Sequence, residues 1–409
     1  MSNKLIFSLD VGSSKIVSLV GSLGKQIEIL GISSHVNSRL ENDFVVTNGN
    51  ICNIDVVSKR IGQTLREAQY RAECSIGSVI SNIAGKYVTN VYSNNRQEVN
   101  YHVITPDIIA HMIREAQKVQ LPNYVEITDY EVQEYLIDDE RYTVNPLNLE
   151  CSNITANLNF FVAGKSTLAN LRKAIESNHY SIAKIVPSGI LSGLSILSQD
   201  EKNSGCCVID IGAGVTDVVV YQNGFIRYVV SLPVGSEDIT MDIANVLKIS
   251  RNIAEDLKLT YGSLLASKSS VSNIKYINQR GVEIKTQISL LQGIVNARVN
   301  EIMYYIKNIL QNNGLYDKIN SGIVLTGGGA LLHGIEKLSR DVFELPVHIG
   351  KPNYAGQFAD AVNDPRYSCA VGGLYLANDL IQKSNDNSSE IILEVSSWLG
   401  KFKRLLHLN

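Results

Sequence analysis

Short, nearly all-apolar runs alternate along this chain with longer stretches in which apolar positions recur every three or four residues, the mixture expected of an α/β protein. Leu5–Leu9 and Ile16–Val20 predict the strands of a hairpin, with Gln26–Ser33 as a third. From Asp55 to Ala72 the residues Ile61, Leu65 and Ala68 share one face with charges opposite, which predicts a helix, and Val79–Ile83 returns as a strand. After Gly85 the pattern changes to alternating strands such as Tyr87–Tyr92 and a helix capped by Thr105 with Pro106 in its first turn. This reads as an inserted α+β module whose polar centre, with a turn at Asn145-Pro146, fits a solvated strand region and a partner-binding surface equally well.

Helical patterns over Ser166–Asn178 and Ser188–Leu197 lead to a second opening of the same kind: strands at Cys206–Ile211, Val218–Gln222 and Phe225–Val230. Helices follow at Glu237–Val246, Ser250–Thr260 and Ser289–Asn312, with a polar, strand-like stretch between the last two. Ile323–Thr326 is a short buried strand that runs into Gly327-Gly328-Gly329 and a helix beginning near Leu332.

The repeated hairpin carries the candidate chemistry. Its two turns, Asp10-Val11-Gly12-Ser13-Ser14-Lys15 and Asp210-Ile211-Gly212-Ala213-Gly214-Val215-Thr216-Asp217, are small-residue loops whose N–H groups can face a phosphate. Asp10 and Asp210 stand where a carboxylate holds a hydrated Mg²⁺, and Lys15 can neutralise phosphate charge. Asp217, at the entry to a strand, is placed to orient water or metal, with capping of the turn as the alternative. Gly327, Gly328 and Gly329 leave no Cβ between strand and helix, room for a nucleoside. Glu255 and Lys258, one helical turn apart, can reach ribose and base or pair with each other. No one of these features discriminates; the constellation points to a nucleotide held between two related lobes.

Length and charge narrow the class. A chain of 409 residues exceeds one core, and a net charge of -3 with pI near 6.2 excludes a globally basic nucleic-acid binder. Six cysteines without a Cys-x-x-Cys pair indicate neither a metal site nor a disulfide framework. No run is long enough for a membrane span or signal peptide, so the body is expected in the cytoplasm. The end differs: residues 378–395 are polar, a flexible linker by composition, and 396–409 place Trp398, Leu399, Phe402, Leu405 and Leu406 on one helical arc. With Lys401, Lys403 and Arg404 around it, this arc predicts an amphipathic helix lying on anionic lipid.

The order of these motifs resembles the actin, Hsp70 and sugar kinase superfamily over nearly all of residues 1–377. The stretches Pro233-Val234-Gly235, Ala254-Glu255-Asp256-Leu257-Lys258, Thr326-Gly327-Gly328 and Tyr367-Ser368-Cys369-Ala370-Val371-Gly372 are similar to the FtsA family, actin-like division proteins of bacteria. That resemblance implies an actin-like ATPase fold: subdomain 1A from 1–84 and 163–195, an inserted subdomain 1C at 85–162, 2A from 196–235 and 321–377, and 2B at 236–320. It implies ATP and Mg as ligands, self-association into filaments, and a peripheral place at the division site on the cytoplasmic face of the inner membrane. As partners it implies the C-terminal tail of FtsZ on 236–320, later division proteins and anionic lipids. A pilus-assembly actin homologue and a small-molecule kinase or chaperone-type ATPase are the alternatives.

The chain departs from the family pattern at Asn148, where glycine is usual, and at Ala213 and Val215 in the second loop. Asn296 stands where a glutamate is common, and Val186 where relatives with brisk hydrolysis carry a carboxylate. Nucleotide binding with slow or absent hydrolysis is the expectation.

Overall fold

The computed structural model describes residues 4–24, 26–37, 45–265, 273–277 and 281–385. The amphipathic stretch at 396–409 lies outside the described residues.

Strands β1 (Lys4–Val11), β2 (Lys15–Leu23) and β3 (Glu28–Val36) form an antiparallel meander, with Val11 facing Ile16 across the first turn. A minor hairpin, β4 (Val46–Thr47) and β5 (Asn50–Ile51), leads to α1 (Ile54–Arg71), capped by Asn53 and burying Val57, Ile61, Leu65 and Ala68. Strand β6 (Ser78–Ile83) then lies parallel to β1.

The inserted module follows as β7 (Thr89–Val103), α2 (Pro106–Ala116), β8 (Val125–Ile137), β9 (Arg141–Thr143) and β10 (Glu150–Gly164). It has its own core around Ile109, Met112, Ile154 and Phe160. Its strands run longer than the expected Tyr87–Tyr92, because alternation between core and solvent gives no long apolar run to mark their ends. Asn148 takes φ 62°, the left-handed conformation that asparagine tolerates in place of glycine.

After α3 (Lys165–Glu176), β11 (Ser181–Pro187) pairs parallel with β6 and completes a five-stranded sheet in the order β11-β6-β1-β2-β3. Helix α4 (Ser188–Ile196) crosses toward the second half, and α5 (Gln199–Ser204) is closed by a Ser198–Glu201 capping box. The opening hairpin then recurs as β12 (Cys206–Ile211), β13 (Thr216–Gln222) and β14 (Phe225–Leu232). Helices α6 (Ser236–Leu247) and α7 (Arg251–Tyr261), the hairpin of β15 (Asn273–Ile277) and β16 (Glu283–Gln287), and the long α8 (Ile288–Asn312) share one core with the second sheet.

Strand β17 (Ile323–Thr326) ends in a 3-10 turn over Gly328–Leu331, so that α9 (Ile335–Phe343) starts three residues beyond the expected Leu332. After β18 (Val347–Ile349), the short α10 (Ala359–Val362) and a 3-10 turn at Pro365–Tyr367, the described chain closes with α11 (Ser368–Asn385). The expected linker is corrected here. Helix continues to Asn385 through its first part, because Leu374, Ala377, Leu380 and Ile381 repeat at helical spacing and are buried against the face of β1 and β2.

The second sheet has nine strands in the order β18-β17-β12-β13-β14-β7-β10-β8-β9, so the inserted module extends the sheet of the second half through one pairing, Val230 with Thr89. Helices α4 and α11 cross where the two sheets meet, close enough that a Cβ at Gly372 would lie 1.8 Å from the Leu191 carbonyl oxygen. Among the described residues, no helix is long and apolar enough to cross a membrane.

Candidate functional site

Both hairpin turns are built so that their carbonyl oxygens are satisfied and their amides are left over. In the first, Gly12 N–H donates to Lys15 O at 3.0 Å, while Asn37 Nδ2 donates to Gly12 O at 2.8 Å and Ser13 O at 3.3 Å. In the second, Gly212 N–H donates to Val215 O at 2.9 Å, and the first amides of α6, Ser236 and Glu237, donate to Gly212 O and Ala213 O at 3.0 and 2.8 Å. No described group accepts from the N–H of Ser13, Ser14, Ala213 or Gly214. Four amide donors without acceptors are what an anion needs. Because the main chain supplies them, Ala213 and Val215 leave the loop's capacity intact despite the family's glycine and threonine.

The turns meet face to face. A Cβ at Gly214 would lie 2.6 Å from Ser13 Oγ, and that hydroxyl is buried without a hydrogen-bond partner. They line a cavity of about 600 Å³ that also contains Asp10, Lys15, Asp210, Asp217, Glu255, Lys258 and Gly327, Gly328 and Gly329. The structure thus brings every sequence-predicted cleft residue into one place. It does so through the strand ends of β1, β12 and β17 and the helices α6 and α7.

Three carboxylates form the floor. Asp10 Oδ1 accepts from Asn82 Nδ2 at 2.8 Å, Asp210 Oδ2 accepts from Ser192 Oγ at 2.5 Å, and Asp217 is 5% exposed. Burial raises the pKa of each, that of Asp210 to about 6; the charge of Asp10 adds to the rise at Asp210, and the charges of Asp210 and Asp10 add to it at Asp217. Lys15 lowers the Asp10 value but is itself pushed down by burial. Three carboxylates, Asp210 and Asp217 buried and Asp10 half-buried, against one lysine, beside an orphaned hydroxyl and four unused amides, suit a divalent cation accompanied by an anion. Among the described residues no three His, Cys, Asp or Glu side chains converge to ligate a metal directly, so a cation here would be held through water and the anion.

Gly327 turns the third strand into the cleft at φ 81°, and a Cβ there would lie 2.2 Å from Asp210 Oδ1. Close backbone approach demands glycine at this position. At the far end of the cleft, Lys258 Nζ donates to Glu255 Oε2 at 2.8 Å, Thr240 Oγ1 at 2.7 Å and Ser236 O at 3.0 Å. Its three protons are spent inside the protein, so Lys258 fixes Glu255 in place rather than reaching a ligand itself. Leu259, Leu331 and Leu332 make this end apolar.

Sequence reasoning missed several residues of the cleft. Asn82 bridges Val11 N–H, Asp10 and Ser188, and Tyr367 lies under Lys15, whose Nζ is 3.9 Å from the ring centroid. Cys369 lines the floor, its thiol pushed well up by burial and by the three aspartates. A polar Asn near the carboxyl end of a fully buried parallel strand was a usable signal for the first; nothing local marks the others. Val186 is buried in β11 and contributes no carboxylate to the cleft.

Comparison with known proteins adds to this geometry. Residues 207–372 match the family model described as cell division protein FtsA, and 85–162 match that of the SHS2 domain inserted in FtsA. The cell division protein FtsA of Neisseria meningitidis serogroup B is 30% identical over 91% of this chain and 90% of its own length. That of Pseudomonas aeruginosa is 29% identical over 95% and 92%. Among solved structures, a PilM-PilN type IV pilus biogenesis complex superposes with a TM-score of 0.61 at 16% identity, covering 91% of this chain and 98% of that one. MreB5 of Spiroplasma citri bound to ADP gives 0.60 at 15%, covering 95% and 100%. These neighbours establish an actin-like, two-lobed fold.

Proposed function

Because the chain belongs to the FtsA family of cell-division proteins, we propose that it is an ATP-binding adaptor that polymerises on the cytoplasmic face of the inner membrane at the division site. There it joins the FtsZ ring to the membrane and recruits later division proteins. The observation that carries the nucleotide part is the pair of facing turns with four unused amides above three carboxylates. A phosphate chain laid between them takes the amides of both lobes and the charge of Lys15, and so draws the lobes together. Mg²⁺, held through water by Asp10 and Asp210, supplies neutralisation of phosphate charge. The base lies on the apolar end and the ribose beside Glu255. A solved chain of the same fold, MreB5 of Spiroplasma citri, is bound to ADP, which supports a nucleotide as the ligand. With only an isopropyl group at Val186, the cleft suits holding nucleotide better than hydrolysing it.

The membrane part rests on the pattern at 396–409. Partial burial of five apolar side chains contributes roughly 1 kcal/mol each, and each cation near anionic lipid about 1 kcal/mol. One copy therefore binds modestly and a filament binds strongly by avidity. For the FtsZ tail the proposed seat is 236–320, where Tyr304 and Tyr305 stand more than half exposed on α8 (52% and 54%).

Deleting residues 396–409 tests the anchor. ATP binding should be unchanged while sedimentation with anionic vesicles is lost; undiminished pelleting of the shortened chain contradicts it.

A further inference from the structure

The family-like stretch Tyr367–Gly372 is a strap across the cleft floor. Gly327 N–H donates to Pro365 O at 3.2 Å, Thr326 Oγ1 and Ser368 Oγ share a hydrogen bond of 2.7 Å, Ser195 Oγ donates to Ser368 O at 2.7 Å, and Ser8 Oγ donates to Ala370 O at 2.5 Å. These bonds tie the segment to β17, α4 and β1 at once, so the ring at its head has a fixed place. Just before it, Asp364 accepts from Arg366 Nε and Nη2 at 2.8 and 2.9 Å, which occupies both groups with each other.

Lys15 is in a different position. Among the described residues it has no carboxylate within ion-pairing distance, and its ammonium sits 3.9 Å above the centroid of Tyr367. The ring covers one side of the ammonium with a face that is electrostatically negative but carries no net charge. An acidic side chain in the same place would neutralise the cation and repel a phosphate. An aromatic face holds the cation still and leaves its charge available.

We propose that Tyr367 is a positioning residue for Lys15, holding the ammonium beside the first turn so that the affinity for a nucleotide depends on the charge of its phosphate chain. This rests on the nucleotide reading above. A lysine with four rotatable bonds loses conformational freedom when it meets a phosphate, and a ring that has already fixed it removes part of that loss. The effect therefore grows from mono- to triphosphate and vanishes without Lys15.

The test is equilibrium titration of the full chain with AMP, ADP and ATP in the presence of Mg²⁺, for the wild type, Tyr367→Leu, Tyr367→Phe, Lys15→Ala and the Lys15→Ala/Tyr367→Leu double variant. Tyr367→Leu should weaken ATP by about 3- to 10-fold, ADP by less, and AMP hardly at all, while Tyr367→Phe stays near the wild type. In the Lys15→Ala background, Tyr367→Leu should add nothing. Equal weakening of AMP and ATP, failure of phenylalanine to rescue, an undiminished effect without Lys15, or no effect of Tyr367→Leu each overturns the proposal. A wild-type chain that binds none of the three nucleotides instead removes the reading on which it rests.

Discussion

Asp210 is 9% exposed beside Asp10 and Asp217, and burial first, then the charge of Asp10, raises its carboxyl from 3.8 to about 6. A folded value above the unfolded one means that the free protein loses stability as pH rises from about 4 through about 6 and regains none above it. Asp210→Asn removes the charge while keeping the shape. At about pH 7.5 the free variant should be more stable than the wild type by roughly 1–3 kcal/mol, with little difference near pH 4, while Mg-ATP binding falls. Thermal unfolding against pH measures the first, and a lower midpoint for the variant at neutral pH contradicts the account. Gly327→Ala acts in the opposite sense: positive φ and a Cβ 2.2 Å from Asp210 Oδ1 should cost about 2 kcal/mol or more and weaken nucleotide binding as well. The two turns were legible because each is a local run of small residues after an apolar strand. Asn82 and Tyr367 reach the same cleft from 72 and 352 residues away from Asp10 and Lys15, and a single asparagine or tyrosine carries no local mark of such a meeting.

At the scale of elements, helices and strands followed from period, but their ends depended on what packs against them. Helix α11 outran the expected linker because Leu380 and Ile381 still find the first sheet, a contact that a polar surrounding sequence conceals. The same helix sets the crossing with α4. Gly372→Ala would put a methyl group into the Leu191 carbonyl and should destabilise by about 1–3 kcal/mol. Gly293, inside α8 with nothing within 4 Å of a Cβ, offers the contrast: alanine there should stabilise by about 0.5–1 kcal/mol. Urea unfolding of both variants checks the pair: a Gly372→Ala chain as stable as the wild type contradicts the tight crossing, and a destabilised Gly293→Ala chain contradicts the open space on α8.

In the whole molecule the inserted module is bound to both halves. Its Lys184 partner, Asp129, lies at 2.5 Å, tying β8 to β11 in the first sheet. Gln133 and Asn159 both donate to Ile226 O at 2.7 Å, Glu131 accepts from Ile226 N–H at 2.9 Å, and Asn90 accepts from Val229 N–H at 2.8 Å, all on the edge of β14. Beyond the single pairing of Val230 with Thr89, side chains rather than a strand ladder satisfy that edge, an arrangement no periodicity announces. On the proposed reading, a nucleotide that draws the lobes together would act on a body whose module, cleft and α11 are mechanically joined. In the proposed function this body links FtsZ to a membrane. The most direct measurement is sedimentation of purified FtsZ with anionic vesicles and Mg-ATP, with and without this chain. FtsZ should pellet only when the full chain is present and return to the supernatant when residues 396–409 are removed; FtsZ that stays in the supernatant while the full chain itself pellets contradicts the account.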